Sequence, residues 1–325
     1  MCTAGCNSSQ NANSSTLQLQ PVGYNPQRVN LTLILTQLFV WPFVYINILM
    51  LFTFYRKQAF RTETRYLLFA HTLLTDVIFL LLCNFVVILS YSSVLMPVAL
   101  CIPLCILMEA VTSCTPLTIT AMCVERYVAI CMPLRHNAIS TPSRTLNAIL
   151  IIWIISYTKP IVDVFILVAT VPEQYFLQPT LCYYEIITPE HWQLIMRGVV
   201  FFFYFVIVFF TEIFCYLLIV LAAKRASVDK KSARKGLRTV SLHMIQLILC
   251  TSEIVCPYIE ALIIEVDIEL YLSVRFFNFI TFNVIARAVT PLVYGLRDEK
   301  FHAALLCYIK CRPNHISSEN PESNL

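Results

Sequence analysis

Seven long apolar stretches constrain this chain more than any other feature: Leu31 to Tyr55, Tyr66 to Ser90, Leu100 to Val124, Leu146 to Val168, Val199 to Ala222, Val240 to Ile263 and Phe276 to Tyr294. Crossing a bilayer as a helix takes about 20 apolar residues, and every run is near or above that length. Inside lipid the backbone must satisfy its own hydrogen bonds, which a helix does within one segment. At 58% hydrophobic and 13% charged residues, with a mean hydropathy of +0.72, the chain holds more apolar side chains than one water-soluble core can hide. The expected fold is an all-α membrane protein, a seven-transmembrane helix bundle.

Basic residues give the orientation, because cytoplasmic loops collect Lys and Arg. Four lie between helices 1 and 2, three after helix 3, seven between helices 5 and 6 and four after helix 7, so eighteen of the 23 share one side. Only Arg28, Arg197 and Arg275 fall opposite, while Lys159 and Arg287 sit inside runs. The expected topology is multi-pass in the plasma membrane, N-terminus extracellular and C-terminus cytoplasmic. Asn7-Ser-Ser and Asn13-Ser-Ser fit the glycosylation pattern on the outer side; Asn30-Leu-Thr also fits but lies close to the membrane. The first 30 residues lack the apolar core of a signal peptide, so helix 1 is expected to serve as the insertion signal. The net charge of +4 gathers in the cytoplasmic loops and reads as topology, which argues against a nucleic-acid surface.

No internal repeat or long linker divides the chain. The expected organisation is an extracellular glycosylated tail over 1–29, the bundle over 30–296, an interfacial helix over 297–312 and a disordered cytoplasmic tail over 313–325. In the third segment Phe301, Leu305 and Ile309 recur every four residues, the spacing of a short amphipathic helix lying in the membrane interface. Cys307 and Cys311 there are open to palmitoylation. Most of the fourteen cysteines lie inside apolar runs, where they act as small buried hydrophobes. Cys101, at the outer end of helix 3, and Cys182, in the long outer loop before helix 5, face an oxidising compartment and are expected to form a disulfide.

Charges within the runs each need a partner or a cavity, since one at the bilayer centre costs about 2.5 to 3.5 kcal/mol. They are Asp76, Glu109, Lys159, Asp163, Glu212, Glu253, Glu260 and Arg287. Lys159 and Asp163, four apart, read as a mutual ion pair. Asp76 in helix 2 and Arg287, one turn before Pro291, read as a pair across the core, with separate polar neighbours such as Asn47 and Asn283 as the alternative. Glu109, two turns below Cys101, reads either as a ligand contact or as a protonated acid bonded to a neighbouring helix.

Helix 3 ends in Met122-Cys-Val-Glu-Arg-Tyr-Val-Ala-Ile-Cys-Met-Pro-Leu-Arg135. This run resembles the Met-Ala-x-Asp-Arg-Tyr-Val-Ala-Ile-Cys-x-Pro-Leu signature of odorant receptors, those of fish type included, within the rhodopsin class of G-protein-coupled receptors. Lys235, Thr239 and His243 match the opening of the family's helix 6; Pro291, Tyr294, Leu296 and Arg297 match the end of its helix 7; Asn47 and Asp76 match its polar positions in helices 1 and 2. Ile46, Glu125 and Thr290 depart from the glycine, aspartate and asparagine of the family, and Cys250-Thr-Ser252 replaces its Phe-Tyr-Gly.

The resemblance implies a small-molecule odorant receptor that activates a heterotrimeric, cyclic-AMP-raising G protein by population shift. It implies an activation switch of Glu125, Arg126, Tyr127, Tyr216, Pro291 and Tyr294, with Glu125 holding Arg126 at rest. Asn47, Asp76 and Arg287 are expected to form the core polar network. Ligand contacts are expected from Glu109, Thr112, Ser113, Phe205, Thr251, Ile254, Cys256 and Tyr258. The alternatives are a non-olfactory rhodopsin-class receptor for a small ligand and a secondary transporter, against which stand five glycines and no repeat. Neither His-Glu-x-x-His nor Gly-x-Ser-x-Gly occurs, so no enzyme, catalytic residue, cofactor or metal site is expected.

Overall fold

The computed structural model describes residues 26–92 and 94–225, scattered positions of 241–265, all of 266–288, and 299–309. Asn7, Asn13, Thr251, Ile254, Tyr258, Pro291, Tyr294 and the tail beyond 309 lie outside the described residues.

The chain is a bundle of long helices: α1 (Pro26–Arg56), α2 (Thr64–Tyr91), α3 (Val98–Cys131), α4 (Pro142–Thr170) and α5 (His191–Arg225). These five are long and apolar enough to cross a membrane. The described positions of 241–263, here α6, are helical. Next, α7 (Ile268–Asn278) runs on through a π-helical stretch, Phe279–Ile285, and α8 (Glu299–Ile309) is short.

Helix starts follow local chemistry. The Thr141 hydroxyl accepts from the Arg144 amide ahead of α4, and Pro142, which has no N–H to orphan, takes the first helical position. Asp267 accepts from the Glu269 and Leu270 amides and starts α7 eight residues before the apolar run at Phe276. Hydropathy alone misses those two turns because Glu269, Ser273 and Arg275 interrupt them. For the same reason α5 begins at His191, before the apolar run at Val199, and carries Arg197 inside the helix.

Helix α3 sits at the centre, packed against α2, α4 and α5. Small or apolar residues such as Ala110, Val111, Cys114, Ile119 and Cys123 are fully buried along it. The outer faces of α4 and α5 show Ile154, Phe165, Phe202, Phe203, Ile207 and Phe210, the surface that lipid covers. In α5 Phe201 is buried and Phe205 half-buried, so the Phe-rich run divides between core and lipid.

At one end a two-residue ladder pairs Met96–Pro97 (β1) with Pro179–Thr180 (β2), folding the α4–α5 loop back over α3. At the opposite end α8 buries Phe301, Ala304 and Leu305 against α1 and α2, with Phe301 among the rings of Phe60, Tyr66 and Phe69. The apolar stripe expected at spacing four therefore docks on protein through Phe301 and Leu305.

Candidate functional site

Among the described residues, most of the side chains singled out in the sequence fall in three groups. The first lies just below the end closed by β1 and β2. Cys101 and Cys182 form a disulfide there, with Cα atoms 5.5 Å apart, fixing the loop to α3. Beneath it the Lys159 ammonium donates to Glu109 Oε1 at 3.1 Å, Asp163 Oδ2 at 3.0 Å and the Tyr184 hydroxyl at 3.3 Å. Tyr184 donates to Asp163 Oδ2 at 2.7 Å, and Arg197 Nη2 donates to Glu109 Oε2 at 3.3 Å. Both cations also lie on aromatic faces, Lys159 over Tyr184 and Phe201, and Arg197 at 4.2 Å over Tyr184 and 5.7 Å over Phe201.

This cluster joins α3, α4, α5 and the loop, with two carboxylates against two cations. Burial, then the carboxylates of Glu109 and Asp163, push the Tyr184 hydroxyl far above the usual phenol range, so it stays a donor. The expected Lys159–Asp163 pair is thus one edge of a larger network, and Glu109 is an ion-paired carboxylate facing two cations.

One turn or more below, Thr112 bonds the Met108 carbonyl of its own helix, and the Ser113 carbonyl accepts from the Tyr204 hydroxyl at 2.8 Å. Through this bond Tyr204 holds α5 on α3, three residues before Pro116 on the same helix. Cys256 is buried.

The second group is the core pair. Arg287 Nη1 donates to Asp76 Oδ1 at 3.2 Å and to the Thr115 hydroxyl, and the guanidinium carbon stands 4.1 Å from the centre of the Phe79 ring. Both charged side chains are 0% exposed. Asn47, grouped with them from sequence, turns its amide to the Phe43 carbonyl at 2.8 Å and makes no hydrogen bond to either. A helix offers that carbonyl one turn back, and the bonds of Arg287 to Asp76 and Thr115 join α2, α3 and α7.

The third group lies at the far end of α3. Arg126 Nε is 3.8 Å from Glu125 Oε2, while Glu125 Oε1 is 3.3 Å from His136 Nε2 on the short helix Pro133–Ile139. Tyr127 and Tyr216 flank a small cluster of Cys123, Cys215 and Ile219 between α3 and α5. Glu212, one turn from Cys215, is fully buried, and neither carboxyl oxygen has a hydrogen-bond partner among the described residues. Leu134 in the same short helix is 99% exposed.

Sequence reasoning missed Tyr184, Arg197, Tyr204, Thr115, Phe79 and His136. Arg197 was within reach: no proline interrupts His191 to Phe201, and Arg197, Phe201 and Tyr204 fall at spacings of four and three, on one helical face. The contacts of Tyr184, Thr115 and His136 depend on tertiary packing and leave no local pattern.

The sequence matches the family described as 7 transmembrane receptor (rhodopsin family) over residues 46–294. It is 40% identical to odorant receptor 131-2 of Danio rerio across 276 residues, 85% of either chain. Shorter similarities reach growth hormone secretagogue receptor type 1 of Rattus norvegicus, 49% identical over 49 residues or 15% of this chain and 14% of the relative, and pyrokinin-1 receptor of Drosophila melanogaster, 42% over 62 residues or 19% and 14%.

Proposed function

Because the chain belongs to the rhodopsin family of seven-transmembrane receptors, we propose that it is an odorant receptor, binding a small molecule near the disulfide-closed end and activating a heterotrimeric, cyclic-AMP-raising G protein at the other. The extended similarity to a protein named odorant receptor supports the sensory assignment. In this reading the disulfide-closed end faces outward with the N-terminus, Asn7 and Asn13 carry glycans, and the C-terminus is cytoplasmic. The ligand meets Glu109, Thr112, Ser113, Phe205 and Cys256, together with Thr251, Ile254 and Tyr258.

The observation that carries the mechanism is that Arg126 stands beside an acid that also serves a second partner. Its Nε stands 3.8 Å from Glu125, a carboxylate already shared with His136, whereas Arg287 meets Asp76 at 3.2 Å in full burial. A partly exposed arginine beside a shared acid exchanges partners at little expense. A ligand that binds the open bundle more tightly shifts the population toward it. Arg126 then leaves Glu125, with Tyr127, Tyr216, Pro291 and Tyr294 in the same switch, and the exposed Leu134 and the basic loop between α5 and α6 meet the G protein.

The test is expression in cells with a small-molecule panel read by cyclic AMP. An N-terminal tag should be accessible on intact cells, and Arg126→Ala should abolish the ligand-evoked signal at unchanged surface level. A tag reachable only after permeabilisation, or full signalling by Arg126→Ala, overturns the reading.

A further inference from the structure

Within the cluster under the disulfide, donors and acceptors are unequally used. An ammonium has three N–H groups, and those of Lys159 go to Glu109, Asp163 and Tyr184. Glu109 has both oxygens engaged, one by each cation. A guanidinium has five N–H groups in a planar fork. Arg197 uses one, on Glu109, and the others have no hydrogen-bond partner among the described residues. Its plane is supported by Tyr184 at 4.2 Å, and the side chain keeps 19% of its exposure. Stacking holds the fork in one orientation while leaving its edge open, the arrangement suited to a planar, two-oxygen anion.

The same geometry disfavours a cationic ligand. Glu109, buried to 6% exposure, already faces two cations, and the rings of Tyr184 and Phe201 that would receive an ammonium already carry Lys159 and Arg197.

We propose that this receptor recognises a ligand with a carboxylate head, held by the open edge of the Arg197 guanidinium. The inference rests on the receptor reading above and narrows it to one ligand chemistry. The carboxylate takes a bidentate hold on Arg197, and Tyr184 and Phe201 wall its apolar stem. Arg197 then divides its charge between Glu109 and the ligand, so occupancy weakens the tie between α3 and α5 and couples binding to the bundle.

The probes are butanoate, hexanoate and octanoate, their methyl esters, and amines of equal chain length. They are applied at neutral pH to purified full-length receptor in thermal unfolding and to expressing cells in a G-protein activation assay. At least one carboxylate should raise Tm and activate, its ester and amine doing neither. Arg197→Gln should weaken that carboxylate tenfold or more, while Arg197→Lys, which keeps the charge and loses the fork, should recover part of the loss. Surface level reports folding of both variants. Esters or amines matching the carboxylates, unchanged carboxylate potency in Arg197→Gln, or no Tm shift with any probe would each overturn the carboxylate assignment. If basal G-protein activation is present and Arg126→Ala removes it, the receptor reading survives that failure. If basal activation is also insensitive to Arg126→Ala, both fall.

Discussion

The charges beneath the disulfide and the charges at the core solve the same problem in opposite ways. Around Lys159 four ionised side chains and a phenol share partners across three helices and a loop, and Lys159, Asp163 and Arg197 keep 17 to 19% of their exposure. At the core an acid meets an arginine at zero exposure, with a threonine hydroxyl and an aromatic ring also against the guanidinium. A network with several partners and some access to water loses one contact at modest cost. A closed pair in a dry interior cannot, because removing either member leaves a bare charge. The contrast assigns rearrangement to the first region and fixed spacing of α2, α3 and α7 to the second.

The largest effect that can break this contrast belongs to the core. Asp76→Asn or Arg287→Gln should destabilise the receptor by about 3 to 5 kcal/mol, seen as a lowered Tm of the purified protein and reduced surface level. The double change should recover part of that loss, whereas simple additivity of the two single effects would dissolve the pair. Under the disulfide, Glu109→Gln should leave surface level near that of the unaltered protein, since Lys159 keeps Asp163 and Tyr184. It should also move the carboxylate dose response leftward by about tenfold, the equivalent of about 1.4 kcal/mol, because Arg197 loses its competing anion. An unmoved curve would take Glu109 out of the site. The smallest effect concerns the hydroxyl linking α5 to α3: Tyr204→Phe should lower stability by about 0.5 to 1.5 kcal/mol, measured as a small drop in Tm with signalling retained.

Much of the frame was legible in the residues. Five of the seven apolar runs coincide with described helices long enough to span, and the family match covers the bundle from residue 46 to 294. Cys101 with Cys182, and Asp76 with Arg287, stand 81 and 211 positions apart; the first pair followed from two cysteines facing an oxidising compartment, the second from the cost of leaving a charge alone in lipid. Helix starts were less legible, because Asp267 begins α7 through a hydrogen bond that hydropathy does not register. The cluster around Lys159 was only half legible. Its i,i+4 pair obeys helix periodicity, but Tyr184 arrives from a loop whose path depends on β1, β2 and the disulfide. Asn47 shows the reverse error: a polar residue in a suggestive place settled for the carbonyl one turn behind it.

The docking of Phe301 among Phe60, Tyr66 and Phe69 ties the terminal helix to the first two spans through interlocked aromatic rings. A shortened chain ending before Glu299 would therefore uncover a sticky greasy patch at the membrane border, inviting aggregation and quality-control degradation during biogenesis.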